Sequence, residues 1–221
     1  MIQLSNSSFK KITITLAVYL TSLLAANTLG LKIMPFLFGL HLSVAVFTFP
    51  VVFITTDVIG EVYGKHIAKF FVLAGFISTA LFIAYTWISL PMPWSTAGLW
   101  ARDSYNLVFA TTVRISIASI AAFIIAEYQD LLSFFFFRDK MGVKAFWLRS
   151  LLSNVWSQLL DSTIFMVIAF AGIYDNKTLV VIIISWWLFK VAMGFCYTPL
   201  SYLGIYLLRL GEPELQANPA N

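Results

Sequence analysis

A single cysteine, Cys196, is present in a chain of 221 residues, and only 11% of the residues are charged. One thiol excludes a disulfide framework or a cysteine metal centre within one chain. Histidine is almost as scarce, and His41 and His66 stand isolated near breaks between apolar runs, where they read as interfacial. There is no Walker sequence, no HExxH, no zinc-type spacing and no Gly-x-Ser-x-Gly. No nucleophile or metal set of an intramembrane protease or lipid transferase can be assembled either. The expectation is therefore no enzyme, no metal and no cofactor. Long charge runs and low-complexity regions are also lacking, and the tail GEPELQANPAN (211–221) reads as a short disordered end.

What the chain has in abundance is apolar surface, at 60% of residues. A soluble domain could not hide that much, whereas lipid accepts it, so the bilayer is the expected environment. The formal charge of +4 does not point to nucleic acid, because the basic residues lie between apolar runs instead of in one patch. Windows long enough to cross the hydrocarbon core fall at about 12–31, 34–57, 67–90, 106–130, 148–173 and 179–208. The breaks LKIMP, GKH, PMPWSTAG, RDKMGVK and YDNK carry turn chemistry, and Trp87, Trp94 and Trp100 suit an interfacial belt. The fold class expected is an all-α integral membrane protein. It has six transmembrane helices in one domain over 1–210.

Lysine and arginine set the orientation. One side receives Lys10, Lys11, Lys65, Lys69, Arg138, Lys140, Lys144, Arg149 and Arg209, and the other only Lys32, Arg102 and Lys177. That bias places both termini in the cytoplasm. The first run is too long for a cleaved signal peptide. Three spans per half would invert the second half relative to the first, as in many secondary transporters with a midplane site. Residues 10–90 and 106–209 nonetheless show no convincing self-similarity, so the inverted halves rest on topology alone.

Three ionisable residues remain inside the spans: Arg114, Asp161 and Lys190. Each charge near a bilayer centre costs at least about 2.5–3.5 kcal/mol on insertion scales, so such residues pair or face a cavity. Asp161 and Lys190 fall near the middles of neighbouring spans and can neutralise one another. Ser150, Asn154, Ser157, Gln158 and Asp161 recur at three- and four-residue spacing, which makes one polar stripe. A purely structural ion pair does not need amides beside it, and unpartnered amides are costly in hydrocarbon. Asn27 and Arg114 add polar groups at membrane depth. Trp186, Trp187, Gly194 and Tyr197 surround Lys190 at helical positions, which suits stacking on a flat ligand as well as plain packing.

A second feature is TFPVVFITTDVIGEVYG at 48–64. Asp57, Glu61, Lys65 and Lys69 follow a four-residue spacing that could form an exit ladder on one helix face. Pro50 within the run leaves the Val46 carbonyl without its usual donor, and Gly60 and Gly64 weaken the helix that carries the ladder. Phe49 and Pro50 are expected to line a pathway, with Thr56, Asp57 and Glu61 at its cytoplasmic end.

TD-x-x-x-E-x-YG at 56–64, SQLLDSTIF at 157–165 and Lys190 followed by Thr198-Pro199 resemble the queuosine-precursor transporter family. The likeness runs from Asn27 to about Leu208. Asn27, Phe49-Pro50, Thr56-Asp57, Gly64, Arg114, Asp161 and Lys190 occupy positions that match the family pattern. The resemblance implies a six-span bacterial inner-membrane protein that carries 7-deazapurines such as preQ0, preQ1 or queuine. A guanine-like base would offer an amidine-like edge to Asp161 or Glu61 and a carbonyl to Asn154, Gln158, Lys190 or Arg114. Its flat face could stack on Phe49 or Trp187. With no ATPase motif, uptake would proceed by alternating access, driven by the substrate gradient, by trapping, or by a proton carried on Asp161, Glu61 or Glu127. Two alternatives are a substrate-binding subunit of an energy-coupling-factor importer, for which Ala17, Ala25 and Ala26 lack the docking spacing, and a non-transporting scaffold. Gly30 and Gly60-x-x-x-Gly64 permit close helix packing, and a homodimer is expected.

Overall fold

The computed structural model describes residues 5–35, 41–141 and 146–210, with the side chains of 65, 126–128, 130–154 and 194–198 outside the described set. The tail at 211–221 also lies outside it. Six helices carry the fold: α1 Asn6–Leu29, α2 Phe49–Tyr63, α3 Lys65–Ser89, α4 Arg102–Met141, α5 Phe146–Phe170 and α6 Asn176–Arg209. A small antiparallel hairpin joins α1 to α2, with β1 Ile33–Pro35 paired to β2 His41–Ser43 in the register Met34 opposite Leu42. Five described stretches are long and apolar enough to cross a membrane: Asn6–Leu29, Val44–Tyr63, His66–Ser89, Thr96–Ile125 and Asn176–Met193. Val155–Phe170 of α5 is a shorter apolar stretch. The chain is a multi-pass, all-α membrane protein.

The second span differs from the 34–57 read in the sequence. Pro35 disfavours helix at the residue before it and donates no backbone hydrogen, so Ile33–Pro35 pairs as a strand and the helical stretch starts at Val44. Pro50 falls in the first turn of α2, where a missing N–H costs nothing, so it starts the helix and does not bend one. Gly64 has φ 89°, a backbone conformation costly for residues with a Cβ, and it ends α2 and opens α3. The ladder expected over Asp57, Glu61, Lys65 and Lys69 is therefore split between two helices.

Two compact units divide the chain: 1–30, 44–92 and 194–221 in the first, and 31–43 and 93–193 in the second. In the first, Tyr19 of α1, Val52, Val58, Ile59, Val62 and Tyr63 of α2 and Phe71 of α3 form a buried cluster, flanked by Ile205 and Leu208 of α6. The Tyr19 and Phe71 rings lie 5.7 Å apart. Gly75 lets α3 approach α1, since a Cβ there would meet the Tyr19 hydroxyl at 2.6 Å and its ring at 2.9 Å. Lys11 donates to the carbonyls of Leu208 and Leu210 at 2.9 and 2.6 Å, which places a cation on the carbonyl end of α6.

In the second unit, Ile115, Ala118 and Ala122 of α4, Met166, Ala169 and Phe170 of α5 and Leu179, Ile182 and Trp186 of α6 are buried. Each set recurs at three or four residues, as an inward helix face requires. Asp175 caps α6 by accepting from the Lys177 and Thr178 amides at 3.1 and 3.2 Å and from the Thr178 hydroxyl at 2.5 Å. That hydroxyl, with the amides, holds the Asp175 carboxyl below its ordinary range.

Gly75→Ala should lower stability by about 1–3 kcal/mol through overpacking. Gly60→Ala, whose Cβ would meet only the Ala68 Cβ at 3.5 Å, should be neutral or gain up to about 1 kcal/mol of helix propensity. Thermal midpoints in one detergent compare the two, and equal midpoints would contradict the close approach at Gly75.

Candidate functional site

Hydroxyls on the membrane helices mostly bond back to their own backbone. Thr55 donates to Val51 at 2.5 Å, Thr56 to Phe53 at 2.9 Å, Thr111 to Leu107 at 2.7 Å, Thr163 to Leu159 at 2.8 Å and Ser185 to Val181 at 2.7 Å. That habit satisfies a hydroxyl where no water is at hand. The polar groups that do something else mark the candidate site.

Asp161 of α5 and Lys190 of α6 form an ion pair through Asp161 Oδ2, with the lysine side chain 14% and the aspartate 20% exposed. Lys190 Nζ also lies 5.9 Å from the centroid of the Trp186 ring. Trp187 donates its indole N–H to the Val155 carbonyl at 3.0 Å. Its polar edge therefore straps α6 to α5. Gln158 stands one turn before Asp161, and its Oε1 is buried without a hydrogen-bond partner among the described residues. Ser162 Oγ and Trp186 Nε1 share that condition. The i+4 spacing of Ser162 from Gln158, and of Lys190 from Trp186, was the sequence signal for both residues.

Arg114 takes a different place from the one expected. Its Nε donates to the Ile168 carbonyl at 2.7 Å and its Nη2 to the Ala171 carbonyl at 2.6 Å. The guanidinium thus satisfies carbonyls left over at the end of α5 and opposes the negative end of that helix. Those two donors are occupied by backbone and are not offered to a ligand.

Asn27, Phe49, Pro50, Thr56, Asp57 and Glu61 lie in the first unit. Asn27 is buried at 1% exposure, with its Nδ2 unpartnered among the described residues. Phe49 stacks edge-on against Phe53 at 5.3 Å. Thr56 commits its hydroxyl to its own helix. Asp57 and Glu61 are exposed, and Glu61 faces Arg209 of α6 at 3.8 Å. Glu61 thus meets an arginine of α6, and the side chain of Lys65 lies outside the described set. The side chains of Asn154, Glu127, Gly194 and Tyr197 lie outside the described set. Among the described residues no group of histidine, cysteine and acidic side chains could hold a metal ion.

A multi-pass helical protein with a charge pair buried among amides, hydroxyls and indoles has the composition of a membrane binding site for a small polar molecule. Residues 43–204 match the family model described as "Putative vitamin uptake transporter". The chain belongs to that family. It is 29% identical over 167 residues to the "Probable queuosine precursor transporter" of Bacillus subtilis (strain 168), covering 75% of this chain and 72% of the relative. It is 30% identical over 132 residues to the "Queuosine precursor transporter" of Escherichia coli (strain K12), covering 60% and 57%. A Haemophilus influenzae protein, also named "Probable queuosine precursor transporter", is 25% identical over 166 residues, covering 75% and 64%. The chain therefore spans less than two thirds of the second and third relatives. No solved structure matches it.

Breaking the Asp161–Lys190 pair from one side leaves a buried charge alone, so Asp161→Asn and Lys190→Met should each destabilise on the order of 3 kcal/mol. The double variant should recover part of that loss. Thermal unfolding of the four proteins in detergent measures it, and single losses that simply add in the double variant would rule out a coupled pair.

Proposed function

We propose that this protein imports queuosine precursors, 7-deazapurine bases such as preQ0, preQ1 or queuine, across the bacterial inner membrane by alternating access. The observation that carries the reading is the partly buried Asp161–Lys190 pair with Gln158 one turn away on α5, in a chain that belongs to a transporter family and resembles relatives named for that cargo. A guanine-type base carries an N–H and an exocyclic amine on one edge, which a carboxylate accepts, and a ring carbonyl that needs a donor. Asp161 takes the first role and Lys190 the second, with Asn154 and Gln158 on the same stripe. The chain acts as a carrier and not as an enzyme.

Both termini are assigned to the cytoplasm on the lysine and arginine bias. Within the first unit that assignment puts Thr56, Asp57 and the Glu61–Arg209 contact towards the cytoplasmic end, and they form a gate with Pro50, which lies in the first turn of α2 farther along the pathway. Asn27 and Phe49 are assigned to the pathway, and two copies associate as a homodimer. With no nucleotide-binding motif in the sequence, the gradient of the base, its consumption in the cytoplasm or a coupled proton drives uptake.

The reading is tested in a bacterial strain unable to make or salvage queuosine precursors, supplied with labelled base. Expression of this protein should raise cellular label well above the empty-vector strain, and Asp161→Asn should remove at least about 90% of the gain, the effect of losing one charge-assisted contact. Equal label with and without the protein would sink the proposal.

A further inference from the structure

The second unit leaves six buried polar atoms with no hydrogen-bond partner among the described residues, on Asn106, Thr112, Ser116, Gln158, Ser162 and Trp186, and the last three, Gln158 Oε1, Ser162 Oγ and Trp186 Nε1, belong to residues within about one helical turn of Asp161 or Lys190 along the chain. Ser162 is 1% exposed and Trp186 5%. Neither lacks an obvious local solution. Thr163, the next residue after Ser162, bonds back to the Leu159 carbonyl, and Trp187, the next after Trp186, donates to the Val155 carbonyl. Ser162 and Trp186 do not follow their neighbours. A buried donor or acceptor left unmade costs about 1–3 kcal/mol, so groups in this state call for a partner that the described residues do not supply.

The residues that carry these three atoms flank the two members of the ion pair on their helices. Gln158, Asp161 and Ser162 stand at i, i+3 and i+4 on α5 and share a face. Trp186 and Lys190 stand at i and i+4 on α6, with the ammonium 5.9 Å from the Trp186 ring centroid. The Asp161–Lys190 ion pair joins the two faces. The cluster thus offers an amide acceptor, an indole N–H that can only donate, a hydroxyl that can do either, and an aromatic face beside a charge pair.

We propose that Trp186 and Ser162, with Gln158, are specificity-determining contacts that read the lactam edge of a flat heterocycle. The Trp186 N–H donates to the ring carbonyl, Gln158 Oε1 accepts from a ring or exocyclic N–H, and the Ser162 hydroxyl takes whichever role remains. The proposal rests on the transport reading above and adds the chemical feature that is recognised. A site whose buried donor is matched to a carbonyl rejects an analogue that lacks the carbonyl, because the donor is then left dry.

Trp186→Phe keeps the ring and removes the N–H, and Ser162→Ala removes only the hydroxyl. Uptake is measured with a labelled guanine-type 7-deazapurine and with its analogue carrying an amino group in place of the ring carbonyl. Trp186→Phe should raise KM about tenfold or more with the maximal rate little changed, and should shrink the preference for the carbonyl base about tenfold. Ser162→Ala should raise KM about three- to tenfold. Unchanged KM and preference in both variants, at wild-type membrane levels, would overturn the assignment while leaving transport standing. Should Trp186→Phe fail to reach the membrane, Ser162→Ala decides alone. Thermal shift of the purified protein by the same two bases separates the two readings. Base-stabilised protein in cells that take up no label overturns transport and keeps the contacts, whereas neither stabilisation nor uptake overturns both.

Discussion

Hydrocarbon offers no hydrogen bonds, and the rest of this structure depends on that constraint. Every polar group within the bilayer must be matched inside the protein or bear the cost of remaining bare. The helices match most of theirs locally: Thr55, Thr111, Thr163 and Ser185 each return a hydroxyl to a carbonyl four residues back. Helix ends cannot solve the problem that way, because their last carbonyls have no donors downstream. Arg114 supplies two for α5, and Lys11 supplies one ammonium to two carbonyls at the end of α6. Charged side chains at the membrane thus divide into those consumed by backbone and those left for other work.

That division reorders the candidate residues by what they touch. Arg114, one of two cations that the sequence places inside the spans, closes a helix. Trp187, beside Lys190, straps α6 to α5 through Val155. Less conspicuous residues take on the polar surface around Asp161 and Lys190: Gln158, Ser162 and the Trp186 indole edge, all buried and unmatched among the described residues. In the first unit Asn27 is comparable, a buried amide with an unmatched Nδ2, whereas Thr56 has used its hydroxyl and Glu61 faces Arg209.

Much of this was legible in the sequence because the governing signals are local. Apolar length marked the helices, and two charges at matched depth marked the Asp161–Lys190 pair, which the structure forms. Two kinds of information were not local. The onset of the second span depended on Pro35 favouring a strand, which pairs with His41–Ser43, so a run that looked continuous from 34 begins at Val44. Gly64 could be seen to loosen a helix, but only its φ of 89° shows that it separates two helices and splits the charge ladder. The partner of a long side chain was also beyond reach. Nothing in the spacing around Arg114 announces the carbonyls of Ile168 and Ala171, more than fifty residues away.

Stability alone does not account for the Asp161–Lys190 pair. Each charge brought to membrane depth costs at least about 2.5–3.5 kcal/mol on insertion scales, and apolar residues of similar volume often match or exceed a buried pair in stability. A leucine and a methionine at these two positions would avoid that cost, and Trp187 already straps α6 to α5 through the Val155 carbonyl. What an apolar pair could not provide is a carboxylate and an ammonium fixed beside an amide, a hydroxyl and an indole N–H in a setting shielded from water. There, hydrogen bonds to charged groups are stronger, and mismatches more destabilising, than at a wet surface. The arrangement costs a scaffold more than an apolar pair would, and it is consistent with the binding role proposed for these residues.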